Sequence, residues 1–263
     1  MEMLFEKKEK KMDGNKKSID LTRSGFEESF KEGVFYDKQT KDDLHLESIL
    51  EFVEIKPGMK VLDLGCGTGF LTFPMAIRNM DAFVVGLDIV ANTITRNMEQ
   101  VVEQGISNIR FVSYDGEDIP FDDETFDLVV TRYALHHFPQ IEKSLADASR
   151  VLKQGGRLFI SDPRPNECDV TRFVDDYMQL KKDGHIKFYT AEEWTDICDK
   201  CVMKFLKSFD SKIRFPRKKA TAIGFEDVLL KHDKSIIDSY QLEVAEEEIW
   251  VTEEVNNILF MKE

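Results

Sequence analysis

Two acidic residues and a glycine-rich turn in the first half of the chain have the spacing of a nucleoside-binding site. The predicted strand Lys60–Leu64 leads directly into the turn GCGTG at residues 65–69. Alternating glycines let the backbone approach a ligand closely, and the helix that follows offers free N–H donors. Asp63 stands at the entrance of the turn, where it would repel a pyrophosphate but would suit an ammonium or sulfonium group.

Asp88 ends the next predicted strand, about 20 residues after the first glycine of the turn. An acid at this distance accepts hydrogen bonds from the two hydroxyls of a ribose. The alternative interpretation is a helix cap, because Asp88 precedes a predicted helix, and one residue can serve both purposes. The acidic loop 113–121 follows the third strand. One of its carboxylates could accept a hydrogen bond from an adenine amino group, and a solvated loop is the alternative there.

These residues must be positioned by a sheet, since each of them follows an apolar strand. Strands that alternate with helices predict a parallel sheet covered on both faces, with ligands at the carboxyl ends beside the switch in strand order. The five strands are predicted at residues 60–64, 82–87, 108–112, 125–131 and 157–161. Past residue 162 the pattern changes to a helix at 191–201, strands at 203–209 and 255–260, and a loop with short helices between those strands.

Composition and charge narrow the class of protein. The 263 residues include 36 basic and 50 acidic side chains, which give a net charge of −14. Such a surface argues against nonspecific nucleic-acid binding, because contacts to phosphates need basic residues. The sequence has no apolar run that could span a membrane, and its charged start lacks the apolar segment of a secretory signal. We therefore expect a cytoplasmic protein, whose oligomeric state the sequence leaves open.

The motifs VLDLGCGTG, GLDI, YDGEDIPF, FDLVVTRYALHHF and VLKQGGRLFISDP occur in the order seen in class I S-adenosylmethionine-dependent methyltransferases. Over about residues 46–165 the chain resembles the branch that includes menaquinone- and ubiquinone-biosynthesis C-methyltransferases and many small-molecule methyltransferases. The resemblance implies an α/β, doubly wound, mostly parallel seven-stranded sheet whose last strand is antiparallel, of the Rossmann-like methyltransferase kind. We expect an N-terminal helical extension that acts as a mobile lid (1–40) and a methyltransferase domain (41–263). Within that domain we expect a cofactor-binding core at 46–165, and an acceptor-side cover and sheet edge at 164–263 that includes a lid insertion after strand five.

The resemblance also implies S-adenosylmethionine as the cofactor, with S-adenosylhomocysteine as the product. The methionine part would be surrounded by Asp63, Gly65, Cys66, Gly67 and Gly69. Asp88 would hold the ribose, Asp115 and Gly116 the adenine, and Arg132 would line the cofactor through its backbone. Tyr36 and Ile89 complete the predicted cofactor-binding set.

Methyl transfer from a sulfonium is an in-line displacement, so the protein mainly has to align the acceptor, and positioning can supply roughly 7–11 kcal/mol. His136 and His137 are candidate general bases because histidine titrates near neutral pH; the alternative is a structural role. The predicted substrate residues are Tyr133, His137, Asp162, Arg164 and Tyr177. Further aromatic side chains of the pocket are Phe35, Phe173, Phe188 and Tyr189. Such a cover suits a small, partly apolar acceptor.

Three other interpretations remain. The chain could methylate RNA or protein, docking through the basic segment 212–219, or it could be a noncatalytic methyltransferase-like binding subunit. An NAD-type oxidoreductase is opposed by Phe70, which stands where a dinucleotide fingerprint has its third glycine. The pair Cys198 and Cys201 lies on a predicted helix without a second pair, so we expect no metal site.

Overall fold

The computed structural model of the protein describes residues 2–31, 33, 38 and 40–263, and of residues 2–13 it describes only the backbone. Within these residues the chain folds into one mixed sheet of eight strands with helices on both faces. The helices are α1 Glu2–Lys31, α2 Asp43–Val53, α3 Thr72–Arg78, α4 Ala91–Gln104, α5 Ile141–Val151, α6 Phe173–Gln179, α7 Ala191–Lys200, α8 Phe225–Lys231 and α9 Lys234–Ser239. The strands are β1 Lys60–Leu64, β2 Phe83–Asp88, β3 Ile109–Ser113, β4 Phe126–Arg132, β5 Leu152–Arg164, β6 Met203–Lys218, β7 Glu243–Val244 and β8 Glu248–Lys262.

The strand order is β3-β2-β1-β4-β5-β8-β6, with β7 paired to β8. Strands β1 to β5 are parallel, and β8 runs antiparallel to both β5 and β6. The order reverses between β1 and β4, so the loops after β1, β2 and β4 open onto one crevice. The doubly wound α/β prediction is confirmed, and the two-residue β7 makes the number of strands eight instead of seven.

Two buried clusters hold the helices against this sheet. On one face α2, α3 and α4 pack through residues such as Ile49, Met75 and Ile94, and on the other α5 and α7 pack through Leu145 and Trp194. The central strands are buried on both faces, which is why they read in the sequence as short continuous apolar runs. None of the helices in the described part of the chain has the length and apolar character needed to cross a membrane.

Strands β6 and β8 extend well past the end of β5. They pair from Met203↔Lys262 to Lys218↔Glu248, whereas β5 pairs with β8 only as far as Arg164↔Glu254. The projecting ribbon packs with α6, α8 and α9 around a third buried cluster. We call this ribbon, with α6, α8 and α9, the cap. The cap covers the carboxyl edge of the sheet.

Three sequence predictions need correction here. The strand predicted at 203–209 continues to Lys218, so the basic segment is mostly strand and not loop. The last strand begins at Glu248 and not at 255, and β5 runs from Leu152 instead of 157. These extensions are not predicted because they carry many polar residues and are fixed by pairing with distant segments, which local sequence does not reveal.

Candidate active site

A cavity of about 1240 Å³, including its open mouth, lies at the carboxyl ends of β1, β2 and β4 beneath the cap. Its sheet side is lined by Asp63, Gly65, Cys66, Gly67, Asp88, Ile89, Tyr114 and Arg132. Its cap side is lined by Tyr133, His136, His137, Met178, Phe188, Phe215 and Glu253. The structure thus joins the predicted cofactor residues and several predicted acceptor residues in one space.

The glycine turn is fastened to the end of β2. The N–H groups of Gly65 and Cys66 both donate to the Leu87 carbonyl, at 2.8 and 3.1 Å. Gly67 donates its N–H to Asp88 Oδ2 at 2.8 Å, and Asn97 Nδ2 donates to the Gly67 carbonyl at 2.9 Å. Contacts within the chain therefore hold the turn in place.

Gly65 has no room for a side chain. Its φ of +75° lies in the left-handed region, and a Cβ there would stand 2.5 Å from the Cβ of Ala134. Both the backbone conformation and the close approach of the segment after β4 require glycine at this position.

The two acids that flank the turn are buried. Asp63 Oδ2 accepts a hydrogen bond from the Thr72 hydroxyl at 2.6 Å, and burial, opposed by that hydrogen bond, raises the pKa of Asp63 to about 7. Asp88 also has a raised pKa because it is buried. The Cζ atom of Arg132 lies over the rings of Phe70 and Tyr133, 4.2 and 4.0 Å from their centroids. The positive charge of Arg132 lowers the pKa of Asp63.

Asp88 is not a helix cap in the strict sense. Its Oδ1 accepts the N–H of Val90 at 2.9 Å, and Val90 is itself the N-cap residue of α4, without a side-chain cap. Asp88 instead bridges the start of that segment and the glycine turn through its two oxygens.

The third loop is covered by α1. Arg23 donates from Nη2 to the Asp115 carbonyl at 3.1 Å and from Nε to the Ile89 carbonyl at 3.2 Å. A Cβ at Gly116 would lie 2.9 Å from Ile19 Cγ2. Asp115 and Gly116 therefore face the helix, and the neighbouring Tyr114 lines the cavity.

Other predicted residues lie elsewhere. Gly69 packs under Phe73, because a Cβ there would be 2.6 Å from that ring. Tyr36 and Phe35 lie outside the described residues. Arg164 turns away from the cavity toward Asn256 and Asp210, at 3.3 and 3.2 Å.

Two buried histidines, His136 and His137, line the cap side of the cavity. Burial lowers the pKa of both His136 and His137 well below the ordinary value, and repulsion from neighbouring imidazoles adds to this. His136 Nδ1 lies 2.8 Å from Asp162 Oδ1, and burial raises the pKa of Asp162 to about 8. Asp162 positions His136 through this contact with Nδ1, and it does not itself line the cavity.

Tyr177 belongs to the core of the cap and not to the cavity lining. Its ring lies under the guanidinium of Arg217 at 4.3 Å, and Arg217 Nη1 donates to the Tyr177 carbonyl at 2.8 Å. Arg217 is 2% exposed, so this member of the basic segment is a structural side chain of the cap.

The remaining candidates are also structural. Lys212 pairs with Glu254 and Arg214 with Glu243, each at 2.7 Å, so part of the basic segment is neutralised within the ribbon. Burial raises the pKa of both thiols of the Cys198–Cys201 pair. The described residues contain no His, Cys, Asp and Glu cluster that could hold a metal ion.

Glu253 is the residue that the sequence prediction missed. It belongs to the row Ile249, Val251, Glu253 and Val255, which faces inward along β8 by the two-residue period of a strand. The signal in the sequence is this alternation, and it shows only once the strand is known to begin at Glu248.

Comparison with known proteins agrees with this geometry. The sequence profile of a family described as a methyltransferase domain matches residues 55–223, which is more than half of the chain. The chain belongs to the methyltransferase-domain family. The chain is 29% identical to the uncharacterized methyltransferase YcgJ of Bacillus subtilis over 58% of this chain and 59% of that protein. It is 35% identical to the ubiquinone/menaquinone biosynthesis C-methyltransferase UbiE of Idiomarina loihiensis over 47% of this chain and 50% of that one. The matches span little more than half the length of these relatives.

Solved structures show the same fold. The crystal structure of YcgJ superposes with a TM-score of 0.72 and 22% identity, covering 84% of this chain and 99% of that one. A phosphoethanolamine N-methyltransferase of Haemonchus contortus, solved with phosphomonomethylethanolamine and S-adenosylhomocysteine, superposes with a TM-score of 0.59 and 18% identity. The superposition covers 83% of this chain and 52% of that one. The chain thus has the Rossmann-like fold of S-adenosylmethionine-dependent methyltransferases.

The contact between Gly65 and Ala134 predicts the effect of one substitution. Gly65→Ala should lower the free energy of unfolding by about 1–3 kcal/mol more than Gly58→Ala, because added volume in a packed site is strained. Gly58 is the matched control, since its φ is +81° and a Cβ there meets nothing within 4 Å. Adding Ala134→Gly should recover the difference in a chemical denaturation series. An equal loss in both single variants would contradict the close approach.

The buried acids predict how stability depends on pH. Burial raises the pKa of Asp63 to about 7, and those of Asp162 and Glu253 to about 8. Above pH 6.5, the ordinary pKa of histidine, the folded protein still holds protons that the unfolded chain has released. Stability should therefore fall as the pH rises toward the pKa of each group, which is about 7 for Asp63 and about 8 for Asp162 and Glu253. The loss is about 1 kcal/mol per pH unit for each group that still holds its proton. Glu253→Gln should flatten this slope and Glu254→Gln should not; identical slopes in denaturation at several pH values would refute the assignment.

Proposed function

We propose that the protein binds S-adenosylmethionine in this cavity and transfers its methyl group to a small-molecule acceptor. The observation that carries the proposal is the pair of buried acids, Asp63 and Asp88, on either side of a preformed glycine turn at the switch in strand order. S-adenosylmethionine supplies a methyl group that its sulfonium charge has already activated. The acidic lining fits a ligand with a cationic amino acid part, whereas a pyrophosphate would be repelled.

Different residues on the sheet side bind different parts of S-adenosylmethionine. Asp63 attracts the ammonium group, and the backbone of the turn from Gly65 to Gly67 contacts the methionine part. Asp88 has lone pairs left to accept the ribose hydroxyls after its bonds to Gly67 and Val90. The adenine lies against Ile89 and Tyr114. Its amino group faces the loop at Asp115 and Gly116.

The cap side aligns the acceptor and excludes water. His136 and His137 line it as neutral imidazoles, so either can take up a proton from a hydroxyl or an acidic carbon. His136 is oriented by Asp162, which leaves its other nitrogen for that role. A small acceptor is supported by the partly aromatic walls of the cavity and by the biosynthetic role named for relatives such as UbiE.

Ligand titration tests the proposed function. Isothermal titration should show that S-adenosylhomocysteine binds and that NAD does not. Competition should show that adenosine binds at least about tenfold better than 2′,3′-dideoxyadenosine, because a hydrogen bond to a carboxylate is worth about 1.5–3 kcal/mol. Asp88→Ala should abolish that preference, whereas Asn97→Ala, which loosens the same turn, should keep it. NAD binding without S-adenosylhomocysteine binding would overturn the proposal.

We also propose that α1 and the turn at 181–184 form a cover that opens to admit ligands. The helix reaches the ligand loops through Arg23, and the ring of Phe26 meets that of His137 edge-on at 5.0 Å. A Cβ at Gly25 would lie 2.7 Å from the Cα of Asp183, so the helix and the turn are in tight contact. Thr22, Phe26 and Phe30 line the cavity itself.

Hydrogen exchange tests the cover. Adding S-adenosylhomocysteine should slow exchange in residues 14–31 and 179–187, because the ligand adds apolar contacts that hold the cover closed. Arg23→Ala should speed exchange in α1 before ligand is added, and Glu28→Ala, an exposed change on the same helix, should not. Exchange that does not respond to ligand in either segment would show a permanently packed wall.

A further inference from the structure

Glu253 is a buried carboxyl to which the chain offers no partner. It lies in β8 opposite Ile213, has no exposed surface and lines the cap side of the cavity. Neither of its carboxyl oxygens has a hydrogen-bond partner in the structure. Burying a polar group without a partner is costly, so a carboxyl kept in this state points to an incoming donor.

Two cations act on Glu253, and neither forms a hydrogen bond with it. Arg217 donates from Nη1 to the Tyr177 carbonyl and stacks on the ring of that residue, and Lys181 pairs with Asp183 at 3.1 Å. Burial is the largest influence on Glu253 and raises its pKa; the charge of Arg217 lowers that pKa, and Asp162 and Asp175 raise it. Because the pKa stays raised and both oxygens lack a partner, the site still favours a donor that reaches them directly.

Much of the cavity lining is apolar. Met178, Phe188, Ile213 and Phe215 line the cavity, and Ile213 lies opposite Glu253 in the strand pair. Lys181 also lines the cavity, and it pairs with Asp183. Burial lowers the pKa values of His136 and His137, which favours their neutral form. A ligand that fills this end should combine one cationic nitrogen with an apolar body.

We propose that Glu253 recognises the methyl acceptor, and that this acceptor is an amine whose nitrogen binds the Glu253 carboxylate while its apolar substituent packs against the cap. The inference rests on the proposed function, because it assigns the acceptor half of the same cavity.

Glu253 can also receive the proton that an amine must lose. A proton that moves from the ammonium nitrogen to Glu253 Oε leaves a neutral amine, with its lone pair free, and a neutral carboxyl. Burial raises the pKa of Glu253 to about 8 while no cation is bound, whereas a bound ammonium favours the carboxylate. The carboxyl therefore releases its own proton as the ammonium binds and can then take the proton of the amine.

Ligand-observed NMR on the protein saturated with S-adenosylhomocysteine tests the proposal with two probes of matched size, benzylamine and benzyl alcohol. The wild-type protein should bind benzylamine at least about tenfold more tightly than benzyl alcohol. Glu253→Gln should remove this preference and leave benzyl alcohol unaffected. Glu254→Gln is the matched control, since the neighbouring side chain turns to the other face and pairs with Lys212; it should retain the preference.

The outcomes separate this inference from the proposed function. Equal binding of the two probes, binding of neither, or a preference that survives Glu253→Gln overturns the amine assignment while S-adenosylhomocysteine still binds. Failure of the wild-type protein to bind S-adenosylhomocysteine overturns the proposed function instead. Should Glu253→Gln not fold, the comparison of the two probes on the wild-type protein decides alone.

Discussion

The cavity depends on how the turn at 65–69 is held to the end of β2. Gly65 and Cys66 bond to the Leu87 carbonyl, and Gly67 bonds to the Asp88 carboxylate. These bonds fix the turn at the point where the strand order reverses, with Asp63 buried at its entrance. Because the β1 and β4 strands are neighbours there, the segment after β4 comes close enough to leave Gly65 no room for a side chain. The same contacts that order the backbone thus define the site.

A second consequence is electrostatic. The fold buries acids at both ends of one cavity: Asp63 and Asp88 at the sheet, and Glu253 in the cap. Burial raises the pKa of each of them, because a charged carboxylate is poorly solvated there. A bound cationic ligand offsets that cost, because its charge stabilises the buried carboxylates. The positive charge of the ligand should therefore stabilise the folded protein. The neutral histidines between the two ends add no competing positive charge.

The sequence predicts the part of the fold that local pattern controls. Strands β1 to β4 are found within about a residue or two at their ends, since buried parallel strands appear as apolar runs. The positions of Asp63 and Asp88 beside the turn are predicted because their spacing follows from strand–turn–helix geometry. Strands β6 and β8 are predicted only in part, because pairing between distant segments creates the projecting ribbon, and Glu253 lies in the part of β8 that is missed. The coupling of His136 to Asp162 and the contact of Arg23 with the Asp115 carbonyl join residues far apart in sequence, which no local pattern reveals.

The central claim is that the buried acids beside the glycine turn hold a cationic nucleoside ligand. A crystal structure of the complex with S-adenosylhomocysteine tests it most directly. The account predicts the ribose hydroxyls within hydrogen-bond distance of the Asp88 carboxylate, and the amino group of the ligand on the side of Asp63. It also predicts that the sulfur faces the cap. A ligand bound outside this cavity, or one whose ribose does not reach Asp88, would contradict the account.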